Sequence, residues 1–518
     1  MAFTSLVLSF LLCSVPLAYV AGSLWPQRLA RWQFGAALAA LVAALLAVIG
    51  HLSVADAAVA PWLSSAPVSL VLLLLITVIG AVISRFSVHY LAGEPHERDY
   101  YQSLFATLAA ASLAVISNHM LLLLAAWVAI SLCLHRLLMF YPNRPRAALA
   151  AHKKFLLARV AELSLLAAVV LLYIEHGTWL IDEVLVAYSQ AGLDELSHYE
   201  ESAALLLALT ALIKCAQLPV HGWLIQVVES PTPVSALLHA GIINLGGYLL
   251  ILFAPLLSQA LIAQWLILVV SGLTTLLAGL IMLTRVSVKV RLAWSTTAQM
   301  GLMLVECALG LYELALLHLV AHSCYKAYAF LNAGAAVEHY LYRQMAPSQT
   351  PGLGRWAVAL SIALALVAIP FVLLAGHGPY SPWLLLTGMV ALLLVQRSRD
   401  FAVPQLLSVV VLGAVLITTY SLQKSGASWL VAEVAVSANP IADLWFGLLV
   451  VLLFGGAWLL TYANDTVMGK RLWNAMFSGL YLDEWSTRVT LAIWPTHLPS
   501  PLNVKQLPQP FLSQEPLV

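Results

Sequence analysis

Charge is what this 518-residue chain has least of. Only 9% of its residues are Asp, Glu, Lys or Arg, against about 25% in a soluble protein. The 24 Lys+Arg nearly cancel the 23 Asp+Glu, leaving a formal net charge of +1. That balance removes the electrostatic case for nucleic acid or any strongly acidic partner. Cysteine is as scarce: Cys13, Cys133, Cys215, Cys307 and Cys324 all fall in apolar runs with no CxxC pair among them. An iron–sulfur cluster, a zinc ribbon and a disulfide framework are therefore unsupported. Neither GxGxxG nor GxxxxGK[ST] occurs, so nothing marks an NAD or ATP site. The chain itself is expected to bind no cofactor or metal and to catalyse nothing.

What fills the sequence instead is hydrocarbon: 62% of residues are hydrophobic, the composition of an all-α polytopic membrane protein. Near-spanning apolar stretches fall at 4–24, 33–50, 67–83, 103–117, 120–141, 155–175, 203–226, 234–254, 260–283, 293–311, 313–340, 356–376, 382–396, 401–420 and 442–462. They predict about 15 transmembrane helices. Arg28/Arg31, Arg85/Arg98, Arg144/Arg146/Lys153/Lys154, Arg285/Lys289/Arg291, Arg343/Arg355, Arg397/Arg399 and Lys470/Arg471 fall in alternate loops, whereas 51–66, 176–202, 255–259 and 377–381 hold no Lys or Arg. By the positive-inside rule the first set is cytoplasmic, with the N-terminus outside and the C-terminus inside a cell inner membrane. The first span has no convincing small-residue cleavage site and is read as retained.

Against that background a few titratable residues stand out. Lys214 lies in ALLLALTALIKCAQLPVHGWLI, where one central lysine costs roughly 2.5–3.5 kcal/mol of insertion free energy. Pro219, five residues on, removes a backbone donor and is expected to break the helix beside it. In VESPTPVSALLHA the Ser, Thr and Pro residues start a new helix, and His239 lies two turns into it. His318, His322 and Lys326 recur at i, i+4 and i+8, so they share one helix face. Histidines at i, i+4 also bind zinc in HExxH, but no glutamate follows His318, and a proton relay is the preferred reading. Glu162 is read either as a structural partner of Arg159 or as a translocation residue. Glu306 is an intramembrane carboxylate.

The segments IKCAQLPVHGWL, ESPTPVSALLHA, RLAWSTTAQMGLM and LLHLVAHSCYKAYAFLNAG, in that order, resemble the core of the antiporter-like membrane subunits of respiratory complex I and Mrp cation/proton antiporters. The likeness covers about 100–345 and returns faintly in FSGLYLDEWSTRVTLAIWP. It implies an antiporter-like fold with two inverted five-helix repeats. The expected division is N-terminal helices at 1–100, a first repeat at 101–254, a degenerate second at 255–400, and C-terminal helices with an amphipathic cytoplasmic tail at 401–518. By position the resemblance makes Lys214 the broken-helix lysine, His239 the following-helix histidine, His318, His322 and Lys326 the central relay, and Glu162 the family's acidic residue after Arg-Val.

Two departures narrow the match. The family's glutamate after the fifth-helix tryptophan is missing, since Trp127 is followed by Val128, and Glu306 is a candidate replacement. A GFFSKDE-like motif is replaced by LVAIPFVLLAGHGPYSPW, which keeps Pro370 but has no lysine. With SALLHAGIINLGGYLL, this combination most resembles the DabB family, the membrane subunits of DAB-type inorganic carbon accumulation complexes. The resemblance implies a cation-conducting subunit, for H+ or Na+, that energises CO2 hydration by a DabA-like partner. That partner would be zinc-dependent, similar to carbonic anhydrases, and docked on the cytoplasmic side. The alternatives are a proton-pumping subunit of an NADH:quinone oxidoreductase, an Mrp-type antiporter, or a membrane anchor without conduction.

Overall fold

The computed structural model describes residues 3–24, 30–53, 59–141, 143–190, 196–345, 351–374, 379–397, 403–431 and 439–495. Among them the regular structure is helical, and β-type pairing is confined to isolated bridges at Leu63–Ser117 and His119–Leu180. The first six helices are α1 (Phe3–Leu24), α2 (Ala30–Ser53), α3 (Pro67–Tyr90), α4 (Glu97–Val115), α5 (Met120–Leu138) and α6 (Pro145–His176). A short α7 (Ile181–Gln190) lies in the acidic loop before α8 (His198–Lys214), which opens with a capping box between Ser197 and Glu200. Then come α9 (Gly222–Gln226), α10 (Thr232–Ala240), α11 (Leu245–Leu252), α12 (Ala254–Leu257), α13 (Leu261–Leu283), α14 (Val288–Ala308), α15 (Tyr312–Leu331) and α16 (Ala336–Met345). The last are α17 (Leu353–Leu374), α18 (Ser381–Arg397), α19 (Val403–Ser428), α20 (Pro440–Tyr462), α21 (Val467–Phe477) and α22 (Glu484–Ile493).

Each of the fifteen apolar stretches coincides with a helix or a broken pair. Among the described residues, 10 helices are long and apolar enough to cross a membrane; the other stretches are the helices α4, α8, α14, α18 and α19. α17 runs through Pro370 without ending. The peripheral α1 and α2 expose Phe3, Phe10, Leu17, Trp32 and Ile49 outward, as helix faces against lipid do, whereas the window covering α10 and α11 is 94% buried. That pair is the centre of the molecule, enclosed by α3, α8, α14 and α15.

Close approach at the centre depends on glycine. A Cβ on Gly246 in α11 would stand 2.5 Å from Cys215 Sγ and 2.9 Å from the Ala211 carbonyl oxygen in α8. Overpacking of that kind costs about 1–3 kcal/mol. Gly246→Ala should lower the thermal midpoint of the detergent-purified protein, and an unchanged midpoint would show that α8 and α11 do not touch there.

Candidate ion-translocation site

The break beside Lys214 is set by a helix cap rather than by the proline. The Ala216 amide donates to the Ile213 carbonyl and the Gln217 amide to the Leu212 carbonyl, the two bonds of a Schellman ending. Ala216 takes the left-handed conformation, φ 51°, that glycine usually supplies there. Pro219 follows inside the gap, joined by a cis bond to Leu218, and α9 resumes at Gly222. Lys214 is therefore the last helical residue of α8, with its ammonium 4.7 Å from the centre of the Trp127 ring. Such a cation–π contact holds a charge without a counter-ion.

A second break, not anticipated from the sequence, faces the first. The apolar stretch 234–254 is not one helix: α10 stops at Ala240, Gly241–Asn244 make a tighter turn, and α11 begins at Leu245. The Cys215 thiol donates to the Ile243 carbonyl at 3.4 Å. Ile242 and Ile243 line the same cavity as Lys214, Trp127, Ser131, Lys154 and Glu162. This cavity leaves 20 Å³ for water centres, room for about one molecule. Gly241 and Asn244 in HAGIINLGG were the available signal.

Glu162 faces this cavity from α6, 7% exposed, and accepts from the Arg159 guanidinium at 2.8 Å. Glu162 thus pairs with Arg159, as one of its two sequence readings had it, and lines the same cavity as Lys214. Lys154 was read as a loop charge, yet α6 starts at Pro145 and carries it to the interior, 5% exposed. Its ammonium donates to the Ser131 carbonyl at 2.8 Å and to the Ser131 hydroxyl at 3.2 Å. The 154/158/162 spacing, one face of a helix, could have revealed it.

The expected row on α15 packs against α10 and α11, on either side of the second break. His318 Nδ1 lies 3.0 Å from Glu306 Oε2, and its Nε2 lies 2.9 Å from Gln299 Oε1. Glu306 therefore partners His318, and the acidic group at the Lys214 cavity is Glu162, not Glu306 as a replacement for the missing glutamate. The His318 and His322 rings are 6.2 Å apart. One turn on, Lys326 is fully buried and donates to the Leu292 carbonyl at 3.1 Å and the Ser295 hydroxyl at 2.8 Å. His239 in α10 stacks on Phe330 at 4.3 Å. Both nitrogens of His239 and of His322 are buried without a hydrogen-bond partner among the described residues, an arrangement costly enough to ask for a use. Asn244, in the second break, donates to the Ser323 hydroxyl at 2.6 Å, tying the break to the relay helix. Lys289, read as a loop charge, donates to Thr232 at 2.9 Å at the start of α10.

The amphipathic tail is docked up to the last described residue, and 496–518 lie outside the described residues. Asp483 accepts from Lys153 at 2.8 Å, Gln226 at 3.0 Å and Ser486 at 2.7 Å, and the Trp485 indole donates to the Pro219 carbonyl at 3.3 Å. Lys153, 1% exposed, is a buried cation and not a loop charge. A Cβ on Gly222 would fall 1.5 Å from Asp483 Oδ1, so glycine admits the carboxylate to the break. The Arg285 guanidinium holds the end of α21 through the Met476 and Phe477 carbonyls, at 3.2 and 3.0 Å.

Residues 117–394 match the family described as NADH:quinone oxidoreductase/Mrp antiporter, TM. The chain is 50% identical over 506 residues to the probable inorganic carbon transporter subunit DabB of Hydrogenovibrio crunogenus, covering 96% of each. It is 36% identical to the probable inorganic carbon transporter subunit DabB2 of Halothiobacillus neapolitanus, covering 82% of this chain and 79% of that one. Among solved structures, a chain of the Mrp complex from Dietzia sp. superposes with a TM-score of 0.61 at 21% identity, over 95% of this chain and 59% of that one. That likeness carries the fold alone.

Asp483→Ala should strand Lys153 as an uncompensated buried cation. Loss of one partner of a buried pair costs about 3–5 kcal/mol, and less here because Asp483 is 28% exposed. The expected result is faster proteolysis of the 467–495 segment, reversed in part by adding Lys153→Met. Unaltered proteolysis would show that the pair does not hold the tail.

Proposed function

The chain belongs to the antiporter-like membrane subunits of NADH:quinone oxidoreductases and Mrp antiporters and, within them, to the DabB inorganic carbon transporter subunits, and on that premise we propose that it conducts H+ or Na+ to energise CO2 hydration and bicarbonate accumulation by a zinc-dependent, carbonic-anhydrase-like DabA partner. The observation that carries this reading is the placement of Lys214 at two facing helix breaks beside Glu162, with the Glu306–His318–His322–Lys326 row and His239 alongside. Broken helices at membrane depth are where transporters put ion sites, because freed backbone groups and buried charge meet there.

On this reading Lys214 takes up and releases a charge, with the Trp127 face holding the ammonium and Glu162, paired with Arg159, on the same cavity. The imidazoles of His239, His318 and His322 and the amine of Lys326 are groups that bind and release protons. Lys326 bonds to neutral oxygens, so losing its proton strands no carboxylate. The chain spans the inner membrane with its N-terminus outside and its C-terminus in the cytoplasm, as the loop charges favour. The partner docks on the cytoplasmic loops and tail, and its zinc makes hydroxide from water. Catalysis is thereby assigned to the partner, and this chain is a transport subunit.

Lys214→Ala should insert normally, since removing a buried charge eases insertion, and should lower inorganic carbon accumulation at least tenfold. Normal growth of a strain that depends on this uptake at ambient CO2 would contradict the role. Substitutions of His318, His322 and Lys326 to Ala should be non-additive, each removing most of the activity that the triple variant removes. Small single effects that simply sum would rule out a relay, and recovery of quinone-reductase subunits with NADH-dependent proton pumping would reassign the chain to complex I.

A further inference from the structure

The Lys214 cavity contains more positive charge than its one carboxylate offsets. Among the described residues lining it, Lys154 and Lys214 are the cations and Glu162 the anion, and Glu162 is already ion-paired with Arg159 at 2.8 Å. An arginine does not give up its proton in a protein, so the Arg159–Glu162 pair is closed to exchange on the arginine side. With both lysines protonated, two ammonium groups would share a largely dry cavity with no counter-ion left for either, and uncompensated buried charge costs several kcal/mol per ion. The neighbours soften this unequally. Lys214 has the Trp127 face at 4.7 Å, and Lys154 has the two oxygens of Ser131 at 2.8 and 3.2 Å. The titratable and charged groups facing Lys154 from its own and the surrounding helices are Lys214, Glu162, Arg159, Cys133 and His135. None of them adds a second free carboxylate. The α5 residues that line the cavity, Trp127, Ser131 and Leu134, carry no charge.

We propose that Lys154 is a second proton-carrying group of this site and exchanges a single proton with Lys214 across the cavity, so that one amine is neutral whenever the other is charged. The step balances: an N–H bond breaks at the Lys154 ammonium, a water of the size the cavity admits passes the proton on, and an N–H bond forms at the neutral Lys214 amine. One unit of positive charge moves from α6 to α8, toward the helix breaks, and none is created. The inference rests on the conducting role proposed above and deepens it by naming the proton as the ion handled at this site.

The test uses the complete complex in its host, reading inorganic carbon accumulation across external pH, with Lys214→Ala run in parallel. Lys154→Arg keeps the cation and the donors to Ser131 but cannot release a proton, so accumulation should fall at least tenfold at wild-type membrane levels. Near-normal accumulation by Lys154→Arg while Lys214→Ala is inactive would overturn this proposal and leave the conducting role standing. Activity of Lys214→Ala would remove the conducting role itself. If Lys154→Arg does not assemble, Lys154→Gln decides: the expected result is a loss of accumulation with a flattened pH dependence, and full activity or an unchanged pH profile would overturn the assignment.

Discussion

A cation inside a bilayer has to be compensated, and the interior of this protein is organised around four lysines that are compensated in three ways. Lys153 has a carboxylate, Asp483, brought from the end of the chain. Lys154 has the two oxygens of Ser131, Lys326 a backbone carbonyl and a hydroxyl, and Lys214 an aromatic face with Glu162 on the same cavity. The strength of the compensation separates a structural lysine from a working one. A full ion pair fixes charge in place, whereas neutral oxygens or a π face stabilise an ammonium without making its deprotonation prohibitive.

The two helix breaks give those charges somewhere to act. Unwound backbone is tolerated at membrane depth only where protein buries it or it lines a water-filled cavity, and here the two breaks meet through the Cys215–Ile243 contact. The second break also bonds to α15 through Asn244 and Ser323, next to His322. The first is reached from the tail through Gln226, Gly222 and the Pro219 carbonyl. Lys153 and Lys154 are consecutive in α6, one facing the tail and the other the cavity. A displacement of the tail by a docked protein is thus one residue away from the ion site.

Much of this was legible in the sequence, because hydropathy reports burial in lipid directly: each apolar stretch coincides with helix, His239, His322 and Lys326 are buried where their apolar surroundings implied, and Lys214, half-buried, lines an interior cavity. What escaped was of three physical kinds. The end of α8 depends on Ala216 adopting a conformation usual for glycine, which no local propensity signals. The break at Gly241–Asn244 lies in a run whose average hydropathy matches an unbroken span, so that Gly241 and Asn244 alone mark it. The partners of Lys153 and Glu306 come from distant positions, Asp483 and His318, and local periodicity does not encode pairings across the fold. Lys154 was obscured differently: charge near the end of an apolar run reads as loop until the 32-residue length of α6 is seen.

On the proposed function an ion gradient passing through this chain drives a reaction on another polypeptide. Inorganic carbon accumulation is followed in cells holding this subunit and the proposed zinc-containing partner, before and after an uncoupler collapses the gradient. Accumulation should disappear with the gradient while the level of the complex stays unchanged, and the subunit expressed alone should show no CO2 hydration. Accumulation that persists undiminished in the uncoupled cells would contradict the account.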